Sequence, residues 1–135
     1  MSPTPITIST YATLEMAEKI FAESRFTAIP VVDQRENIVG VLTDFILVKL
    51  FLHRASVKSA NKSGLNLLYF LDKLDPIATI EEDEPITSAF KVMSLSPNHR
   101  VFVTKEGKLS GALSPKDVIP LLAGGEPRAA QSSND

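Results

Sequence analysis

The apolar and polar positions of the chain run through nearly the same cycle twice. Residues 13–17 (TLEMA) precede an apolar pair at 20 and 21, and residues 85–89 (PITSA) precede a pair 72 positions later, at 92 and 93. The copies close on similar segments, GVLT at 40–43 and GALS at 111–114. Such an internal repeat predicts two similar units. Each is short for an independently stable domain, so we expect the two to share one hydrophobic core.

Each copy shows the order strand, helix, strand, strand, helix. Short β-branched segments at 6–8 and 77–80 open the copies as strands, and three-and-four spacing of apolar residues from Leu14 and Ile86 indicates amphipathic helices. Two strands joined by a polar turn follow in each copy, and then a closing helix. These segments are 28–33, 38–43 and the helix at 44–54 in the first copy, and 101–104, 109–113 and the helix at 115–122 in the second.

We therefore predict an α/β fold of small, α+β-like sheets, in which two pseudo-symmetric β-α-β-β-α repeats pack as one module. The predicted boundaries are 1–56 for the first repeat, 57–63 for a linker, 64–123 for the second repeat and 124–135 for a disordered tail. An apolar helix at 65–74, stopped by Asp75-Pro76, is expected at the entrance of the second repeat.

Composition excludes several classes of function. The formal net charge is -2 and no element carries a basic stripe, so we expect no nucleic-acid partner. The absence of cysteine excludes disulfides, thiol nucleophiles and zinc–thiolate sites. The longest apolar run, at 45–48, is far short of the roughly 20 residues that cross a bilayer, and the first residues do not resemble a secretory signal. We expect a cytoplasmic protein without a membrane partner.

Three motifs give the chain a family resemblance. Residues 26–33 end in IPVVD, which is similar to the apolar-Pro-Val-Val-Asp strand of CBS domains, and GVLT at 40–43 is similar to their Gly-apolar-x-Thr strand. Residues 111–117 (GALSPKD) follow a fuller form, in which an Asp stands three places after the Ser or Thr. Arrayed twice in order, from residue 4 to about 122, these features resemble a tandem pair of CBS domains, often called a Bateman module.

The resemblance implies two small sheets flanked by helices and related by a pseudo-twofold axis, with two equivalent clefts between the copies. Family members commonly bind AMP, ADP, ATP or S-adenosylmethionine there and report the ligand to an effector protein, which the sequence does not identify. They are usually sensors, so the resemblance implies a regulatory module that is not an enzyme. The residues themselves offer no phosphate loop, no zinc pair and no nucleophile with a base, so we expect no catalytic residue, metal or cofactor.

The segment Ser114-Pro115-Lys116-Asp117 is the sharpest site candidate. Ser at the N-cap, Pro at N1 and an acid at N3 are typical of a helix start. A helix N-terminus also offers N–H groups to phosphate, and Asp117 could accept both hydroxyls of a ribose. The two interpretations are compatible and both stay open. In the second one Asp117 binds the ribose, Ser114 lies near ribose or phosphate, and Lys116 supplies charge.

Three other residues of the second copy are weaker candidates for ligand binding. Thr79 lies on the opening strand, where it could contact the base or simply fill the strand as a β-branched residue. His99 and Arg100 could contact a phosphate, or they could belong to an exposed loop.

The first copy departs from the motif, because Ile46 stands where the ribose-binding Asp is expected. We therefore predict that the cleft around the second copy holds the ligand and that the first cleft is either empty or altered. Asp44 is better explained as a helix cap or a first-turn acid.

A second hypothesis is a structural or protein-interaction module without a ligand. Its argument is that the repeat helices carry more apolar residues than one small core needs. These residues are Phe21, Phe90, Val92 and Met93. Modules of the resembled family commonly dimerise through such helices, and twofold homodimers are the commonest soluble assembly, so a homodimer is expected.

Overall fold

A computed structural model describes residues 5–54 and 65–122 of the chain. The chain forms two compact units, one of Ile6–Pro76 and one that includes the residues from Ile77 onward. Each unit contains one three-stranded sheet and its helices, which confirms the predicted α/β class of small sheets. The predicted linker at 57–63 and tail at 124–135 lie outside the described residues, so those boundaries stay predictions.

In the first unit a parallel strand precedes an antiparallel hairpin. Its elements are β1 (Ile8–Ser9), α1 (Leu14–Glu23), β2 (Ala28–Val32), β3 (Ile38–Thr43), α2 (Asp44–Arg54) and a 3-10 helix (Leu67–Lys73). The sheet order is β1-β2-β3. The Thr13 hydroxyl caps α1 by accepting the N–H of Met16 at 3.1 Å, and the predicted spacing places Leu14 and Ala17 in the core.

The second unit repeats this arrangement. Its elements are β4 (Thr79–Glu81), α3 (Ile86–Leu95), β5 (Val101–Lys105), β6 (Lys108–Leu113), α4 (Pro115–Val118) and a 3-10 helix (Ile119–Leu121). The sheet order is β4-β5-β6, with β4 parallel to β5 and β5 antiparallel to β6. The closing helix expected at 115–122 is α-helical only to Val118, because Pro120 lacks the N–H that would bond to the carbonyl of Lys116.

The segment expected at the entrance of the second repeat packs within the first unit. Leu65, Leu67 and Phe70 are buried in the hydrophobic cluster of that unit. The N–H of Leu67 donates to the carbonyl of Ala12 at 3.0 Å, which ties the segment to the turn before α1. The segment is a 3-10 helix that Phe70 interrupts with φ -129° and ψ 20°, and it completes the core of the first unit.

Gly40 has a packing reason to be glycine. Val41 and Asp75 exchange two backbone hydrogen bonds, of 2.8 and 3.0 Å, and this pairing brings Leu74 against Gly40. A Cβ atom at Gly40 would lie 2.8 Å from the Cβ of Leu74. The first residue of the GVLT motif therefore allows close approach of two backbone segments.

The four apolar residues whose number suggested an interaction surface all contact the hydrophobic cluster of their own unit. Met93 is buried in the second unit, and Phe90 and Val92 pack against the same cluster. Phe21 packs against the cluster of the first unit. Only Met93 of the four is fully buried, while Phe21, Phe90 and Val92 keep part of their surface exposed, so the expected interface through these helices stays a prediction.

Candidate functional site

The six candidate residues all belong to the second unit, and the sheet gathers them at one end. Thr79 on β4 pairs with Phe102 on β5, and Val101 pairs with Leu113 on β6. Because β4 runs parallel to β5 and β6 runs antiparallel to it, the starts of β4 and β5 meet the end of β6. Thr79, Arg100 and Ser114 therefore lie at the same end of the sheet, with Arg100 in the middle and the outer strands of Thr79 and Ser114 roughly 10 Å apart.

Asp117 is held in place by the residue that precedes α4. Its Oδ2 accepts the backbone N–H of Ser114 at 2.8 Å and the Ser114 hydroxyl at 3.1 Å. The N–H of Asp117 donates to the carbonyl of Ser114 at 3.0 Å. These bonds confirm the helix-start interpretation. Both carboxylate bonds use Oδ2, and since each carboxylate oxygen offers two acceptor sites, Oδ1 can still accept a ligand hydroxyl.

The shortness of α4 changes what this helix start can offer to an anion. Aligned peptide dipoles add along a helix, so an α-helix of four residues has a small dipole. Lys116, exposed in the first turn, supplies a full charge beside it. The arrangement suits hydrogen bonding to hydroxyls by Asp117 better than phosphate binding by the helix end.

The loop before β5 is shaped by its own hydrogen bonds. The Asn98 side chain accepts the N–H of Arg100 and the hydroxyl of Ser96, each at 3.0 Å, and His99 adopts the left-handed conformation with φ 58°. The Arg100 guanidinium folds back on the loop, where Nη1 donates to the Asn98 carbonyl at 3.4 Å. Local structure thus accounts for this segment, and His99 is exposed to solvent at the end of the sheet.

Thr79 lies on the face of the sheet that turns away from the core of its unit. The adjacent Ile80 is buried in the hydrophobic cluster, and side chains alternate along a strand. Thr79, Phe102 and Ala112 are paired across the three strands and so share this other face. The register places an exposed hydroxyl beside a buried aromatic ring.

The equivalent position of the first unit is built differently. The Thr43 hydroxyl accepts the N–H of Ile46 at 3.1 Å, which is the N-cap bond of α2. Asp44 is in the first turn and accepts the N–H of Phe45 at 2.7 Å, which confirms it as a first-turn acid. Ile46 is 4% exposed and belongs to the core. A core side chain therefore takes the position that a carboxylate occupies in the second unit.

A pocket of about 220 Å³ in the first unit was missed by sequence reasoning. It is lined by Ile46, Lys49, Leu50, His53 and Lys73. Four of these follow the spacing of one face of α2, a signal that the sequence contained. Lys73 comes from the 3-10 helix, whose docking no spacing rule indicates.

The described ranges, 5–54 and 65–122, contain neither a candidate metal site nor a candidate membrane-spanning helix. In those ranges no group of three or more His, Cys, Asp or Glu side chains is placed to hold a metal ion. No helix there combines the length and the apolar character that a bilayer crossing requires.

Comparison with known sequences places the repeat in context. A family model described as CBS domain matches residues 1–53 and 73–124. A UPF0053 protein of Mycoplasma genitalium is 33% identical over 113 residues, which are 82% of this chain and 24% of that protein. A CBS domain-containing protein of Dictyostelium discoideum is 30% identical over 127 residues, 90% of this chain and 87% of that one. The chain thus spans about a quarter of the Mycoplasma protein and most of the Dictyostelium protein.

Solved structures show the same fold. The CBS-pair protein CBSX2 from Arabidopsis thaliana aligns with a TM-score of 0.68 at 20% identity, over 90% of this chain and 89% of that chain. A structure of CBSX2 in complex with AMP aligns with a TM-score of 0.66 at 21% identity, over 90% of each chain.

Proposed function

This chain belongs to the CBS domain family and carries two copies of the domain, and we propose that it is a regulatory module whose second copy binds an adenine nucleotide or another adenosyl ligand. The candidate ligands are AMP, ADP, ATP and S-adenosylmethionine. The module is proposed to sense the ligand for an effector protein rather than to transform it.

One observation carries this proposal, namely the carboxylate of Asp117 at the end of the second sheet. Ser114 fixes the carboxylate through Oδ2, so its position is set before any ligand arrives. A preorganised acceptor loses little conformational entropy on binding. The two hydroxyls of a ribose are matched donors for such a group, and hydrogen bonds to a charged acceptor are the stronger kind.

The other candidate residues lie at the same end of the sheet, and their proposed roles follow from their positions there. Thr79, two strands away on the outward face of the sheet, is proposed to contact the base. Lys116, His99 and Arg100 carry the positive charge or N–H donors that a phosphate would need. The complex of CBSX2 with AMP supports an adenine nucleotide as ligand for this fold.

Titration calorimetry with the four ligands tests the proposal, using Asp117→Asn and the matched control Asp44→Asn. The Asn side chain can keep the acceptor bond from the Ser114 N–H but loses the charge. We expect one ligand to bind the wild type and the Asp44→Asn chain alike. Binding to Asp117→Asn should be at least about 100-fold weaker.

Three outcomes would contradict this proposal. Equal affinities for the wild type and Asp117→Asn would remove Asp117 from the site. A flat thermal shift with every ligand would remove the ligand itself, because a ligand at 100 times its Kd should stabilise the fold by about 2.7 kcal/mol. Turnover of ATP by the pure protein would show a catalyst instead of a sensor.

A protein-interaction module is the second candidate, and α2 favours it. Phe45, Val48 and Leu52 are 67%, 56% and 71% exposed, and their spacing places them along one side of the helix. A row of exposed apolar side chains is typical of an interaction surface. A homodimer or an effector protein would cover this row of side chains.

Light scattering of the wild type and of Leu52→Lys tests the interaction role. A wild-type dimer that Leu52→Lys disrupts would support it, and a monomeric wild type would count against the homodimer.

A further inference from the structure

The pocket on α2 combines an apolar floor with a polar rim that carries two lysines. Ile46 and Leu50 are buried and form the floor, while Lys49, His53 and Lys73 stand around the opening. The three polar residues come from two different elements, α2 and the 3-10 helix of the first unit. Their convergence over buried aliphatic carbon is a feature of the folded chain and is absent from any local motif.

Two of the rim residues contact aromatic rings. The imidazole of His53 meets the ring of Phe70 edge-on, with centroids 5.8 Å apart. The ammonium of Lys49 lies 5.2 Å from the centroid of the Phe45 ring. Such contacts limit the freedom of long side chains, so the donors are partly ordered before a ligand binds.

The charges around the pocket favour an anion. None of the five lining residues is acidic. Asp72 lies 3.9 Å from the Lys73 ammonium, and its side chain is 77% exposed, so this ion pair is weak. Glu15 pairs with Arg54 at the end of α2. The two lysine ammonium groups therefore line the opening, and ammonium groups bind oxyanions.

We propose that this pocket binds a small organic anion, with its oxyanion between Lys49 and Lys73 and a short apolar body against Ile46 and Leu50. Sites for ligands of drug size start at about 300 Å³, so this pocket of about 220 Å³ suits a smaller molecule. Its lining residues belong to the first unit, whereas Asp117 belongs to the second.

An NMR titration of the full ¹⁵N-labelled chain tests the proposal with four probes. Hexanoate and hexyl phosphate carry both the anion and the apolar body, hexanol lacks the charge, and inorganic phosphate lacks the body. We expect saturable shifts of the amides of α2 and of Lys73 with one or both of the first two. Hexanol and inorganic phosphate should bind at least about tenfold more weakly, because each lacks one half of the interaction.

The variant Lys49→Gln/Lys73→Gln should weaken binding of the preferred probe by roughly tenfold. Lys19→Gln/Lys91→Gln removes the same charge from exposed positions on α1 and α3 and is the matched control. Asp117→Asn should bind the probe as the wild type does, which separates this site from the adenosyl site. An absence of saturable shifts, or equal weakening in both lysine pairs, would overturn the proposal.

Discussion

The closing helix of each copy begins after a residue with a hydroxyl group, but the residue three places later differs between the copies. In the first copy Thr43 caps α2, and the residue three places later, Ile46, enters the core. In the second copy Ser114 precedes α4, and the residue three places later, Asp117, returns its carboxylate to Ser114. One fold therefore tolerates an apolar side chain or an acid at this point. The difference teaches that the capping motif serves the fold, while the residue three places later decides whether a carboxylate is present at this point.

Placing the acid in the first copy should have the largest effect. Ile46→Asp puts a carboxylate where the wild-type side chain is buried, and we expect the free energy of unfolding to fall by about 3–5 kcal/mol. Chemical denaturation followed by circular dichroism measures this loss. Asp117→Ile is the reciprocal change, and because Asp117 is only half-buried its cost should be much smaller. Equal losses in the two variants would mean that the positions differ less than their contacts indicate.

Gly40→Ala should have the next largest effect. The new methyl group would lie 2.8 Å from the Cβ of Leu74 and 3.2 Å from the carbonyl oxygen of Asp75. We expect a loss of about 1–3 kcal/mol from overpacking, measured by urea denaturation. Gly107→Ala is the control for an added methyl, since its Cβ meets nothing within 4 Å and only the positive φ of 81° opposes it. Unchanged stability of Gly40→Ala would show that the 74–75 segment is not held against β3.

Removing the capping hydroxyl should have the smallest effect on stability, and it should lower the free energy of unfolding more in the first copy than in the second. Thr43→Ala leaves the N–H of Ile46 without its acceptor, and a lost N-cap costs about 1–2 kcal/mol. In Ser114→Ala the backbone N–H still holds Asp117, so we expect a loss of about 0.5 kcal/mol. Thermal unfolding of both variants measures the order, and a larger loss for Ser114→Ala would reverse this account of the capping.

Short-range patterns predicted most of the fold. The strand expected at 38–43 is β3 (Ile38–Thr43), because a continuous apolar segment between a polar turn and a capping Thr leaves little freedom. The early end of α4 could have been predicted from Pro120, whose effect is local. The docking of Leu67–Lys73 against the first unit could not, since it depends on contacts with residues more than 50 positions away, such as Ala12.

The candidate site was predicted as residue types, and the structure adds their arrangement. The Ser114-to-Asp117 spacing indicated a helix start, and the hydrogen bonds confirm it. Thr79, Arg100 and Ser114 lie at the same end of the sheet because of the strand register, which the sequence pattern only implied. The binding roles of these residues stay predictions. The pocket beside Lys49 and Lys73 needed the packing of two elements, which periodicity does not provide.

The central claim is that the second copy holds the ligand and the first does not. An NMR titration of the ¹⁵N-labelled wild type with AMP, ADP, ATP and S-adenosylmethionine in turn tests it most directly. We expect one ligand to produce saturable shifts at Thr79 and at residues 114–117, with residues 43–46 much less affected. Saturable shifts at residues 43–46 that equal or exceed those at 114–117, or no saturable shift with any of the four ligands, would contradict the account.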